Sequence, residues 1–222
     1  MTRPAGGVLC VYAITGAGNQ TAPGRGPGGE RLDTVAGGRF AAIVIRAPRA
    51  PRSSLPGLRR HAAVVRQLWA RLPAVLPVRF GTCFGGAAEL TLALGSRQRA
   101  LAGDLRRVRG RAQMTVRVFT AAGRAAPELP ATAGFSGGAD YLRGRAAQAA
   151  REREVSGFDP LRRSVSRWVR EERVEQHAGV ASVYHLVPRS SVDAYRRKLE
   201  RAAASAHLRI AVTGPHPPYA FC

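Results

Sequence analysis

Five kinds of residue pattern in this chain could support chemistry, and each must meet the context its chemistry requires. Gly24, Gly26 and Gly29 match the G-x-G-x-x-G spacing of a phosphate-cradling turn. Such a turn must leave a strand directly and open a helix whose N-terminus meets the phosphate. Here the preceding apolar run ends ten residues earlier, Pro27 lies inside the turn, and no acid follows about 20 residues on. The stretch reads as a glycine loop. Gly134-Phe135-Ser136-Gly137-Gly138 matches a nucleophile elbow, with Asp159 and then His177, His185 or His207 following in hydrolase order. An elbow needs a strand running into its serine, and an Ala/Pro-rich stretch stands there instead, so Ser136 reads as a helix cap.

The five histidines show no metal-binding H-E-x-x-H spacing, and His61 borders an apolar helix face as a satisfied core residue would. Cys10, Cys83 and Cys222 are odd in number and far apart, which fits neither a zinc site nor a disulfide framework and suggests a reduced chain. Arg162, Arg163, Arg167, Arg170 and Arg173 are read on one helix with Glu171, Glu172 and Glu175, paired at i, i+4 as a solvated face. No alternating aromatics accompany them, as a base-stacking platform would require.

Composition narrows the classes. Lys+Arg number 35 against Asp+Glu 14, a formal charge of +21 carried almost wholly by arginine, with Lys198 the single lysine. That field suits nucleic acid, anionic lipid or an acidic protein. The arginines are spread over every segment, though, and the Ala/Gly/Pro-rich background matches pressure toward G+C-rich codons. The longest apolar run, Val8 to Ile14, is far short of the roughly 20 residues that span a bilayer, and no Ala-x-Ala cleavage site follows it.

The elements that would position these residues follow from periodicity. Strands are predicted at Val8 to Ile14, Phe40 to Ile45, Val75 to Phe80, Met114 to Phe119, Val180 to Val187 and Leu208 to Val212. Helices are predicted from Leu58 to Leu72, from Gly86 to Arg109 as one long amphipathic stripe closed by Gly110, and from Ala139 to Val155. Another opens at Asp159-Pro160, and a last one is capped by Ser190 with Asp193. Pro48, Pro51 and Pro56 forbid regular structure before Leu58. The order reads as α+β in two lobes, residues 1–110 and 111–222.

Two segments are specific beyond periodicity: Leu76-Pro77-Val78-Arg79-Phe80-Gly81-Thr82, and Gly214-Pro215-His216-Pro217-Pro218-Tyr219-Ala220-Phe221. With Val11-Tyr12-Ala13-Ile14, His61, Ser136-Gly137 before Tyr141-Leu142 and Arg145, Leu186-Val187-Pro188, and Val192, Asp193 and Tyr195, they make the chain resemble the GvpL/GvpF family of gas vesicle proteins. It departs from that pattern at Gln113, where many relatives have an acid, and at His216, where an aromatic is common. The resemblance implies an α+β protein whose C-terminal lobe is similar to a ferredoxin-like fold. It implies an accessory role in gas vesicle assembly, in the cytoplasm and at the vesicle, through the hydrophobic shell protein and other accessory proteins. No enzyme activity, cofactor or metal is implied, and a basic nucleic-acid-binding protein is the alternative. The residues singled out as structural or partner contacts are Arg79, Phe80, Gly81, Tyr141, Pro217, Pro218, Tyr219 and Phe221. The prolines stiffen the tail toward polyproline II, so it is expected to dock, beside the Val75 to Phe80 strand or across the cleft between the lobes.

Overall fold

The computed structural model describes residues 7–19, 24–119, 155, 157–177 and 180–222. They group into two compact units, residues 1–113 with 216–222, and residues 114–215. The C-terminal residues thus belong with the first unit, where the sequence places all of 111–222 in a second lobe. The helix from Ala139, Tyr141 and the Ser136 elbow lie outside the described residues.

The first unit is built on β1 (Val8–Gly16), β2 (Asp33–Gly37) and β3 (Phe40–Ala47), with α1 (Leu55–Arg71) packed on the sheet. Short β4 (Leu76–Pro77) and β5 (Cys83–Phe84) follow, then α2 (Ala87–Ser96) and α3 (Gln98–Val108). The sheet order is β2-β3-β1-β4, with β5 also paired to β1. β1 bulges at Tyr12, where the register with β3 shifts. Both faces of β3 are covered along most of its length, as its unbroken apolar run requires. The core beneath α1 comprises Tyr12, Ala13, Leu32, Ile43, Val64, Val65, Leu68, Leu72 and Val75.

Four sequence expectations change here. Strand β2 has no period-2 apolar signal and was not anticipated. Pro56 does not delay α1: it occupies the first turn, where its missing N–H costs nothing, and Ser54 caps the helix by accepting the Gly57 N–H at 3.2 Å. The long helix breaks at Arg97 into α2 and α3. Cys10 and Cys83 form a disulfide, because they are directly opposed in the β1–β5 ladder with Cα atoms 4.0 Å apart. A contact across 73 residues leaves no local trace in a sequence.

The second unit contains most of β6 (Arg111–Phe119), then α4 (Asp159–Val165) with a 3₁₀ turn (Ser166–Trp168), and β7 (Glu171–His177). β8 (Val180–Pro188), α5 (Val192–Ser205) and β9 (Ile210–His216) complete it. Its sheet runs β7-β8-β6-β9. The described order β-α-β-β-α-β is that of ferredoxin-like folds. Here too the sequence reading is corrected. The helix opened by Pro160 stops at Val165, and Glu171 begins a strand, so the arginines and glutamates of 162–175 do not share a helix. Ser190 is not the cap of the last helix: it lies within a 3₁₀ turn (Arg189–Ser191), α5 starts at Val192, and Ser191 at the N-cap position makes no side-chain cap bond.

Candidate functional site

The segment Leu76 to Thr82 owes its composition to a loop expelled from a β-ladder. Leu76 and Pro77 pair with Ile14 and Ala13, and Cys83 and Phe84 pair with Cys10 and Leu9. Between these contacts the Val78 N–H donates to the Tyr12 carbonyl at 3.0 Å and the Val11 N–H donates to the Thr82 carbonyl at 2.9 Å. Thr82 N–H closes the loop onto the Arg79 carbonyl at 3.2 Å. Gly81 sits at φ 85°, the left-handed region that glycine enters without steric cost. Pro77 stands at the outer side of the sheet, where a residue without an N–H is tolerated.

That loop turns Phe80 back onto α1. Its ring stands edge-on to His61, centroids 5.6 Å apart, and the Tyr12 ring lies tilted against His61 at 4.9 Å. Gly57 makes the approach feasible: a Cβ there would meet the Phe80 ring at 3.0 Å. The His61 ring donates from Nε2 to the Val78 carbonyl at 2.8 Å, since a carbonyl can only accept. Burial pushes the His61 pKa down, against the hydrogen bond to Val78, so the imidazole is held neutral. Tyr12, His61, Phe80, Val11, Ile45 and Pro51 line a recess of about 160 Å³, with Arg52 and Arg60 also on its wall. The lining is mostly apolar and extends to the Cys10 of the disulfide.

The second unit holds a different arrangement. Ala181, Val183, His185 and Val187 form the buried row of β8, by the two-residue period of a strand. Glu172 is directly opposite His185 in the β7–β8 ladder, so their side chains meet on one face. His185 Nε2 donates to Glu172 Oε2 at 2.8 Å, and its Nδ1 is hydrogen-bonded to the Tyr195 hydroxyl at 2.7 Å. Arg162 Nε donates to both Glu172 oxygens at 3.1 Å and its Nη1 to Asp159. Burial alone would raise the Glu172 pKa, yet the hydrogen bonds and charges of His185 and Arg162 bring it below the usual carboxylate range. Burial and the Glu172 charge push the Tyr195 phenol up. His185 is wholly buried with both ring nitrogens engaged, so it cannot serve a serine nucleophile as base. These groups hold α4, α5 and the sheet together by polar contacts.

The expected site residues fall in two places. Phe80 and Gly81 line the recess, and Arg79 stands exposed at the start of its loop. Pro217 and Pro218 are buried and Phe221 is wholly so, while Tyr219 remains exposed. The tail is docked as expected, and its hydrogen bonds include ones to α3 and β6: Arg107 Nη2 donates to the Phe221 carbonyl at 2.8 Å, and Gln113 Oε1 accepts the Ala220 N–H at 2.8 Å. Gln113 therefore supplies the acceptor that a carboxylate would supply in its place. Sequence reasoning missed Gly57, Tyr12 and the Glu172–His185–Tyr195 chain. For the last, a period-2 reading of Glu171 to His177 was the available signal. Among the described residues no group of three or more His, Cys, Asp or Glu is arranged to hold a metal ion, and no helix is long and apolar enough to cross a membrane.

The family model described as gas vesicle synthesis protein GvpL/GvpF matches residues 8–222. The fold is similar to the crystal structure of gas vesicle protein GvpF from Anabaena sp. PCC7120, at TM-score 0.72 and 15% identity, covering 97% of this chain and 98% of that one. It is also similar to GvpF from Microcystis aeruginosa, at TM-score 0.71 and 17% identity over the same shares. No curated protein sequence matches the chain.

Proposed function

Because the chain belongs to the GvpL/GvpF family of gas vesicle synthesis proteins, we propose that it serves vesicle assembly without catalysis, by holding an apolar segment of the shell protein in the recess beside Phe80. The recess carries this reading. At about 160 Å³ it is smaller than the roughly 300–1,000 Å³ of sites that enclose small-molecule ligands. It suits a single apolar side chain, the anchor on which binding energy concentrates at protein interfaces. Leu58, one helical turn from His61, and Leu55 are both exposed and extend the apolar surface along the start of α1. A shell subunit exposes apolar surface until it is laid into the wall, and that surface drives aggregation unless covered. The protein then acts in the cytoplasm and at the vesicle, together with other accessory proteins.

The test is complementation of a vesicle-forming cell that lacks its own copy of the gene. The wild-type chain should restore vesicles, and Phe80→Asp, which places a charge in the recess, should not. Capture of shell protein should fall in parallel. Full restoration by a folded Phe80→Asp protein that still captures shell protein would remove the recess from the account.

A further inference from the structure

Four cationic side chains of the second unit converge on one recess that the sequence does not reveal. Arg197, Lys198 and Arg201 project from one side of α5, opposite the face that buries Val192, Tyr195, Leu199 and Ala203. Arg167 and Trp168 come to the same place from the 3₁₀ turn after α4. Together with Ser164 and Ala194 they line a groove of about 360 Å³. The Arg167 guanidinium lies over the Trp168 ring, 3.9 Å from its centroid. That stacking fixes the guanidinium plane and leaves its N–H donors free to point outward. Among the described residues none of the four cations makes an ion pair with a carboxylate. Arg201 Nε donates only to the Arg197 carbonyl, at 3.2 Å, so four like charges share one groove with no carboxylate beside them, an arrangement that repels itself unless an anion enters.

We propose that this groove binds an acidic segment of a partner protein, in extended conformation, with carboxylates at alternate positions. Arg197 and Arg201 are four residues apart on a helix, a rise of about 6 Å. Side chains two apart on an extended strand are about 6.6 Å apart and share a face, so successive acids at i and i+2 meet successive arginines. Lys198 lies between them, and Arg167 offers a preorganised fork for a third carboxylate. Nucleic acid fits the same groove less well. The face of Trp168 that Arg167 covers is closed to base stacking, and the cations span about one helical turn, whereas single-strand sites take about 4–16 nucleotides.

The experiment measures binding of a fluorescein-labelled hexaglutamate peptide to the full chain by anisotropy at 50 mM salt. Hexaglutamine and a labelled 12-nucleotide single strand are the comparison probes. The triple variant Arg197→Gln, Lys198→Gln, Arg201→Gln should bind hexaglutamate about tenfold more weakly, the loss of three ion pairs of ordinary strength. A charge-matched control, Arg97→Gln at the cap of α3 with Arg99→Gln and Arg106→Gln on it, should bind as wild type does. If the triple variant does not fold, Lys198→Glu, at an exposed position, is read for the same direction of change. Equal loss in groove and control variants would overturn the proposal, as would equal binding of hexaglutamine. A single strand that binds more tightly than hexaglutamate, and loses that binding in the groove variant, would assign the groove to nucleic acid instead.

Discussion

Two buried histidines, one in each unit, have been accommodated by opposite means. His61 packs against the rings of Tyr12 and Phe80 and donates its N–H to a backbone carbonyl. His185 sits between a phenol and a carboxylate, and the carboxylate is in turn held by Arg162. The first solution keeps an imidazole neutral in an apolar wall, which leaves that wall fit to take an apolar partner. The second is a closed chain of side-chain hydrogen bonds, which welds helices to a sheet and leaves no ring nitrogen for chemistry. A histidine's surroundings, more than its presence, decide whether it belongs to a binding surface or a framework.

Deleting the framework histidine should show the largest effect. His185→Ala removes a wholly buried ring and strands both the Tyr195 hydroxyl and Glu172, for a loss of about 3–4 kcal/mol. At roughly 2–4 °C per kcal/mol for a chain of this size, the melting temperature should fall by about 6–16 °C. Glu172→Gln should cost less, about 1.5–3 kcal/mol, because charge is lost while an acceptor remains. Equal melting temperatures for His185→Ala and wild type would show that the network is not the framework described.

The two solutions also separate by pH. The folded pKa of His61 is depressed, so the unfolded chain binds the proton more readily and stability declines as pH falls below about 6.5 toward the lowered value. His216, depressed by burial and by Arg66, adds to the same window. Glu172 is a depressed acid, so its contribution is complete above about 4.5 and is lost as pH falls through its folded value. His61→Gln, which retains an N–H for Val78, should reduce the slope of the upper window to what His216 leaves, and Glu172→Gln should reduce the lower one. Chemical denaturation across pH 3 to 8 checks both. The smallest effect expected is that of Gly81→Ala, about 1 kcal/mol, since a Cβ there meets no atom within 4 Å and only the left-handed backbone opposes it.

Periodicity made much of this fold legible. The Val65, Leu68 and Leu72 stripe marked α1, the Leu90 to Val108 stripe marked α2 and α3 without their break, and Gly110 at φ 66° ended that pair as expected. What escaped was set by partners remote in sequence. Glu171 and Glu175 alternate with Arg173 in a way that satisfies both a helix and an edge strand, and only pairing with β8 decides between them. Cys10 and Cys83 met because two short ladders flank a loop. The Leu76 to Thr82 segment was recognised as a pattern, but its reason, Phe80 lodged over Gly57 against His61, required coordinates. The arginines looked diffuse along the chain, and the groove at Trp168 is assembled from two segments about 30 residues apart.

The central claim is that the recess beside Phe80 receives the vesicle shell protein. Site-specific photocrosslinking tests it most directly, with benzoylphenylalanine placed at Arg52, exposed on the recess wall, and at Arg117, exposed on β6, as the control. In cells making vesicles, irradiation should give a covalent adduct with shell protein from position 52 and none from position 117. Adducts of equal yield from both positions, or none from position 52, would contradict it.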